Sequence, residues 1–474
     1  MVTQKLVGSV GFIGLDELSL DAASSLVRCG YNVRAFEISD SKINGILKLG
    51  GIRCSSPKDA ARDVSALVVQ ISHGDQASDI FFGNEGALKG LNKDAIVILH
   101  STISPSLVRK LEKDITGIHG MICIVDAYIS RGRSEALDGK VIIASSGNSD
   151  SLARARPILS AMCEKLFTFE GEVGGGSKVK LVAELLEGIH LNSSVEALCL
   201  GAKAGIHPWI IYDIISNAAG NSWVFKNNVP QLLKGEVKHQ ILNAFVKELE
   251  IILDTSKSLT FPLPLLAAAH QQLILGLSHV GGDDEHAALI KIWEKVYGVN
   301  ITGAANEDAY SPEQLATQFT TSSKSGRRVG FIGLGAMGFG MATHLLNSNF
   351  CVVGYDVYKP TLTRFANAGG LIGNSPAEVS KDVDVLVIMV TNEAQAENAL
   401  YGENGAVSVL PSGACVILCS TVSPAYVSQL ENRLHYEGKD LKLVDAPVSG
   451  GVKRASDGTL TVGKTSLALM IIAS

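Results

Sequence analysis

Apolar runs of strand length recur through the first third of the chain: "LVGSVGFIG", "NVRAFE", "ALVVQIS", "AIVILHS" and "MICIVDA". Between them lie stretches of helical spacing such as "SLDAASSLVRCG", closed by glycine as helices commonly are. Short apolar strands separated by amphipathic helices predict an open, mostly parallel sheet covered on both faces. In such a sheet ligands bind at the carboxyl ends of the strands. From 165 to 300 the rhythm changes. "SKVKLVAELLEGIHLNSSVEALCLGAKAG" and "VKHQILNAFVKELEIILDTSKSLT" keep helical spacing with few strand signals, which predicts a separate all-helical domain. The polar stretch that follows, 301–326, reads as a linker.

The end of the chain then repeats its beginning without a gap, at an offset of 319 residues that carries Gly11 onto Gly330. "VGFIG" at 10 meets "VGFIG" at 329, "FGNEG" at 82 meets "YGENG" at 401, and "STISP" at 101 meets "STVSP" at 420. "DAYISRG" at 126 falls on "DAPVSGG" at 445. One register held this far implies that a whole domain has been duplicated. The expected fold class is therefore α/β, with two Rossmann-type doubly wound parallel sheets and one all-helical domain between them. The expected divisions are 1–164, 165–300, the linker 301–326, and 327–474. Position 474 corresponds to 155 in the first copy, so the second copy is expected to be curtailed.

Charge and cysteine content narrow the function classes. A net charge of −6 over 474 residues gives no electrostatic reason to expect nucleic acid or an anionic membrane as partner. No apolar run reaches membrane-spanning length, and the N-terminus enters a strand at once, so a cytoplasmic protein is expected. Eight cysteines without a CxxC pair read as packed thiols, Cys415 and Cys419 among them, and no metal site is expected.

The two copies differ where a dinucleotide fold holds its cofactor. In G-x-G-x-x-G the first glycine makes the turn, the second lets the backbone approach the diphosphate, and the third lets helix and strand pack closely. The second copy supplies Gly333, Gly335 and Gly338, with Met337 in the same loop, and Asp356 ends the next strand. An acidic group there suits the ribose hydroxyls and repels a 2′-phosphate, which favours NAD, with NADP the alternative. The first copy keeps Gly14 and, at the end of its second strand, Glu37, but carries Asp16 and Ser19 in place of the other two glycines. At about 6 Å from a phosphate the Asp16 charge would cost roughly 3 kcal/mol of binding. The first cradle is expected to be spoiled.

"VGFIGLGAMGFGMATHLLNSNFCVVGYD", "STVSP" and "DAPVSGG" together resemble the β-hydroxyacid dehydrogenase family, which includes 3-hydroxyisobutyrate and L-threonate dehydrogenases and is related to 6-phosphogluconate dehydrogenase. The first copy plus the helical stretch resembles a complete member, and the second copy its nucleotide domain. The tandem order also resembles the front of a plant fusion protein in which two such units precede a kinase domain and a class II aldolase domain. The resemblance implies NAD(P)-dependent oxidation of a small hydroxy acid or sugar acid, and assembly as a homo-oligomer through the helical domain.

Residue by residue, it implies that Ser449, Gly450 and Gly451 hold the substrate carboxylate. Their first-copy counterparts are Ser130, Arg131 and Gly132, where the arginine either clamps a carboxylate or fills the pocket. Thr102 and Thr421 would lie near the nicotinamide, or serve as helix caps before "SP". Lys180, framed by Gly171, Gly174 and Gly176, matches the family's acid/base lysine, and Lys291 a lysine near the cofactor. Glu184 stands where the family has an asparagine. An i, i+4 carboxylate would hold Lys180 charged and add negative charge beside an anionic substrate, opposing catalysis. A catalytically silent nucleotide-binding or scaffold module is the competing expectation.

Overall fold

The strand Ala66–Ile71 is buried at every position, and its neighbour Ile96–Ser101 is almost as apolar. Such strands can exist only with cover on both faces, and the sheet they belong to has it. The computed structural model describes residues 8–71, 74–101, 103–131, 141–234, 242–278, 288–305 and 328–463. Thr102, Gly132 and the stretch 306–327 lie outside the described residues, as do 464–474. The chain divides into two compact units, Met1–Ser193 with His239–Ile292, and Ser194–Lys238 with Trp293–Ser474.

The first unit holds an eight-stranded sheet of β1 (Ser9–Ile13), β2 (Asn32–Phe36), β3 (Ile52–Arg53), β4 (Ala66–Ile71), β5 (Ile96–Ser101), β6 (Cys123–Arg131), β7 (Val141–Gly147) and β8 (Lys165–Glu170), in the order β3-β2-β1-β4-β5-β6-β7-β8. All pairings are parallel except β6 with β7. Alternate residues along the strands feed two cores. Phe12, Val68 and Ile98 enter one, shared with helix Glu17–Arg28, while Ile13, Val69 and Leu99 enter the other, shared with helix Pro105–Ile118. That second helix starts as its sequence dictates: Ser104 accepts from Leu107 N, Pro105 opens the first turn, and Val108, Leu111 and Ile115 form the buried stripe.

Lys165–Glu170, assigned to the helical domain from sequence, instead pairs parallel with β7 as the edge of this sheet. Its six residues, "KLFTFE", are too few to show a period against the helix that follows, and the pairing partner decides. The helix Gly175–Lys203 comes next and runs for 29 residues.

The second unit repeats the plan with β9 (Arg328–Ile332), β10 (Cys351–Tyr355), β11 (Leu371–Ile372), β12 (Val385–Ile388), β13 (Cys415–Leu418) and β14 (Lys442–Asp445), ordered β11-β10-β9-β12-β13-β14 and all parallel. A hairpin of β15 (Val448–Ser449) and β16 (Thr461–Val462) closes the described part. Residues 301–305, read as the start of a linker, form a short helix. Glu294 Oε1 caps it by accepting from Ile301 N and Thr302 N at 2.7 Å each, and His207 and Trp209 reach its last carbonyls. His207 and Trp209 are distant in sequence, so the local polarity of the stretch could not reveal them.

Candidate functional site

In the second copy the turn between β9 and helix Ala336–Asn347 is bare. Gly333 adopts a φ of +94°, and Gly335 caps the helix with no side chain to satisfy its amides. A Cβ on Gly335 would meet nothing within 4 Å, so the backbone there is open to a ligand. At Gly338 a Cβ would overlap Gly333 O, which is the close helix–strand contact the third glycine permits. Met337 is half-buried in the first turn, against the core. Asp356, the residue after β10, stabilises the turn: its Oδ2 accepts from Leu334 N at 2.7 Å and its Oδ1 from Tyr358 N at 2.8 Å.

The same positions in the first copy are filled. Gly14 keeps its positive φ of 79°, and Glu37 repeats the role of Asp356, accepting from Leu15 N at 2.7 Å and Ser39 N at 2.9 Å. Asp16, however, caps the helix with its own carboxylate. Oδ1 accepts from Ser19 N at 2.7 Å, and Oδ2 accepts from Gln70 Nε2 at 3.0 Å. The residues present therefore fit a dinucleotide diphosphate at Gly335 and do not fit one at Asp16.

The residues that the resemblance assigns to the substrate carboxylate follow β14. Gly450 and Gly451 take φ values of +135° and +74°, conformations that glycine adopts without strain. Ser449 Oγ accepts from Ala219 N at 3.3 Å. Arg454 Nη1 and Thr461 Oγ1 both donate to Asn217 O, at 2.8 and 2.9 Å, so one turn at 217–219 holds both sides of the loop. Thr421 lies exposed just beyond β13, and the cap before Pro424 is Ser423, accepting from Tyr426 N. The cap reading of Thr421 is thereby corrected. In the first copy the cap is Ser104.

Lys180 is placed by the start of its helix. Asp126 on β6 accepts from Ser177 N at 2.7 Å and Ser177 Oγ at 2.9 Å, and Ser146 Oγ on β7 accepts from Gly175 N at 2.7 Å. A Cβ on Gly176 would lie 2.7 Å from Ala144 O, so the glycine frame is what lets the helix meet the strands. Burial pushes the Asp126 carboxyl up, against the pull of the Ser177 hydrogen bonds. One turn on, Lys180 Nζ pairs with Glu184 Oε1 at 3.1 Å. Burial raises Glu184 while Lys180 lowers it.

Glu248, from helix Leu242–Ser258, faces the same group. Burial, with the Glu184 and Glu187 charges, pushes its carboxyl up to about 7 despite Lys180. Tyr128 on β6 is also raised by burial and shares a hydrogen bond with Ser130. Lys291 is exposed on helix Ala288–Tyr297. Sequence reasoning did not single out Gln70, His100, Asp126 or Glu248. The offset that pairs the copies carried a signal for the first two, since Gln70 and His100 fall on Met389 and Cys419. No group of three or more potential metal ligands exists among the described residues.

A tandem of nucleotide-binding α/β sheets, one with an open glycine cradle, defines a dinucleotide-dependent class, and comparison with known proteins places it further. The profile of the NAD binding domain of 6-phosphogluconate dehydrogenase matches residues 9–171 and again 328–465. That of the NAD-binding region of NADP-dependent 3-hydroxyisobutyrate dehydrogenase matches 174–293. The chain belongs to the β-hydroxyacid dehydrogenase family.

Among its relatives, L-threonate dehydrogenase of Cupriavidus necator is 32% identical over 298 residues, 63% of this chain and 99% of the relative. The 2-(hydroxymethyl)glutarate dehydrogenase of Eubacterium barkeri is 27% identical over 296 residues, 62% of this chain and 97% of its own. The crystal structure of a 3-hydroxyisobutyrate dehydrogenase from Salmonella typhimurium superposes with a TM-score of 0.56 at 29% identity, covering 60% of this chain and 99% of that one. No described helix is long and apolar enough to cross a membrane.

Proposed function

We propose that this chain is an NAD(P)-dependent dehydrogenase of small hydroxy acids whose cofactor is held by the second copy, with the first copy retained as a degenerate domain. The observation that carries the assignment of the cradle is the contrast between uncapped Gly335 and self-capped Asp16. Gly333, Gly335 and Gly338 would hold the diphosphate, and Asp356 the adenosine ribose, which favours NAD over NADP. The nicotinamide supplies the hydride chemistry when bound. Lys180, a residue of the first unit with its side chain 15% exposed, is the proton acceptor that the family resemblance implies. Ser449, Gly450 and Gly451 would receive the substrate carboxylate. The L-threonate dehydrogenases among its relatives point to sugar acids as the first substrates to try.

Beyond the chemistry, the reading includes a soluble cytoplasmic enzyme that associates through its helical domain. A second reading, a silent nucleotide-binding module, draws on Glu184, which places a carboxylate beside Lys180. Two measurements on the full chain separate them. NADH titration by fluorescence should show binding that Gly335→Asp weakens about a hundredfold. Reduction of NAD with L-threonate and related hydroxy acids should follow, and should be lost in Lys180→Ala. Binding without turnover on any substrate would leave the silent module, and unchanged turnover in Lys180→Ala would remove the lysine from the chemistry.

A further inference from the structure

Four positions under the first turn of the nucleotide-loop helix differ together between the copies. Asp16, Ser19, Gln70 and His100 in the first correspond to Gly335, Gly338, Met389 and Cys419 in the second. Gln70 and His100 face each other directly in the β4–β5 register, at the carboxyl ends of the strands where a dinucleotide fold places its ligand. Both are buried, at 8% and 6% exposure, and Ser19 is fully buried. In the second copy Met389 and Cys419 belong to the apolar core beneath the helix.

These changes depend on one another. Gln70 Nε2 donates to Asp16 Oδ2, so the buried amide has a charged partner only because residue 16 is an aspartate. The Asp16 carboxylate in turn takes the amide of Ser19, one of those a helix N-terminus offers to phosphate. His100 Nδ1 lies 3.2 Å from Ala127 O, and because a carbonyl only accepts, that nitrogen carries the proton. Burial pushes His100 down to about 4, so the ring is neutral and Nε2 is an acceptor. His100 Nε2, Gln70 Oε1 and Ser19 Oγ have no hydrogen-bond partner. Without Asp16 the buried Gln70 amide would join them as a further unpartnered group. Nor can the second copy's geometry take the serine, since a Cβ at Gly338 would overlap Gly333 O.

We propose that Asp16 is a tethered replacement for the dinucleotide's diphosphate, and that Ser19, Gln70 and His100 are matched to it, so that cofactor exclusion in the first copy is a four-residue lock. The inference rests on the reading that the second copy holds the cofactor. Removing Asp16 alone leaves the Gln70 amide without its acceptor and keeps the other polar side chains beneath the helix. The domain loses stability and gains little nucleotide binding.

The test uses the full chain carrying Gly335→Asp, which silences the second cradle, with NADH titration and thermal melting as readouts. Asp16→Gly is expected to lower the melting temperature by about 3 °C or more and to leave NADH affinity within about threefold of background. The variant Asp16→Gly/Ser19→Gly/Gln70→Met/His100→Cys is expected to regain the lost stability and bind NADH at least about tenfold tighter. Asp16→Gly binding as well as the fourfold variant overturns the lock, and so does a fourfold variant that melts normally yet gains nothing. A cycle of Asp16→Gly and Gln70→Met in the wild-type chain gives an answer independent of cofactor. Coupling of about tenfold in the unfolding constant supports the lock, and additivity overturns it. If Gly335→Asp leaves NADH binding unchanged, the assignment of the second cradle fails, while the cycle still decides whether the four residues act together.

Discussion

Lys180 Nζ lies 3.1 Å from Glu184 Oε1 on the same face of one helix, and their side chains are only 15% and 12% exposed. At that depth each charge is tolerable because the other is present. Lys180→Met, which strands Glu184, is expected to destabilise the chain by about 3 kcal/mol in urea unfolding. Lys180→Met/Glu184→Leu, which removes both charges, is expected to fall within about 1 kcal/mol of wild type. In turnover the two positions part company. Loss of Lys180 should lower kcat by at least about a hundredfold. If Lys180 is the proton acceptor, Glu184→Asn should raise kcat/KM by about tenfold, since a carboxylate beside a bound anion would repel it. Equal losses from both variants would mean that Glu184 is part of the machinery.

Two buried groups of the first unit give the stability a pH dependence that is hidden in the wild-type chain. His100 drops from an ordinary 6.5 to about 4 through burial, with Lys180 adding to the drop and Asp16 opposing it. Its contribution is complete above pH 6.5 and is lost as pH falls toward 4, because the unfolded chain takes the proton first. Glu248 rises from 4.5 to about 7. Its contribution is complete below pH 4.5 and is lost as pH rises toward 7, because the unfolded carboxyl ionises first. Each is worth about 3 kcal/mol across its window, and between pH 4.5 and 6.5 the slopes oppose. His100→Cys should expose a stability that declines with rising pH, and Glu248→Gln one that climbs. Denaturant midpoints from pH 4 to 8 read both, and parallel profiles in the two variants would refute the pairing.

Asp356 holds a turn, and substitution can separate that job from the ribose contact proposed for it. Its oxygens hold Leu334 N and Tyr358 N, and an acidic side chain at this position also faces the adenosine ribose in dinucleotide folds. Asp356→Ala should weaken NADH binding by about tenfold and NADPH binding by less, because repulsion of the 2′-phosphate is lost together with the turn contacts. The ratio of the two dissociation constants is the diagnostic. An unchanged ratio would confine Asp356 to shaping the turn.

Much of the fold was legible because duplication supplies its own control: a pattern found at Gly11 and again at Gly330 is structural in both places, and a difference such as Asp16 against Gly335 stands out. The edge strand β8 was not legible, since six residues of mixed polarity take their state from β7 rather than from their own period. Glu248 escaped for a related reason. It meets Glu184 and Lys180 only because two helices pack together, and no local spacing encodes that. Gln70 and His100 sat inside runs already read as strands, where one polar residue near the end looks like the approach of a turn. Thr421 reads as a cap because "STVSP" places its hydroxyl near the proline, and geometry selects Ser423.

Asp126 anchors the start of the helix that carries Lys180. It is 1% exposed, and each of its oxygens accepts from Ser177 at the start of the helix that carries Lys180 three residues later. Asp126→Asn keeps the shape but turns one oxygen into a donor facing another donor, and should cost about 2 kcal/mol. Asp126→Ala leaves the Ser177 amide and hydroxyl without acceptors and should cost more, with the damage local to the helix start. Amide hydrogen exchange at 175–180 should rise in both variants while exchange in β4 and β5 stays slow. If Lys180 works as the proton acceptor, kcat should fall in the same order as helix-start protection, with KM for NAD unchanged. Exchange that rises throughout the sheet would instead make Asp126 a general support of the domain, with no particular hold on Lys180.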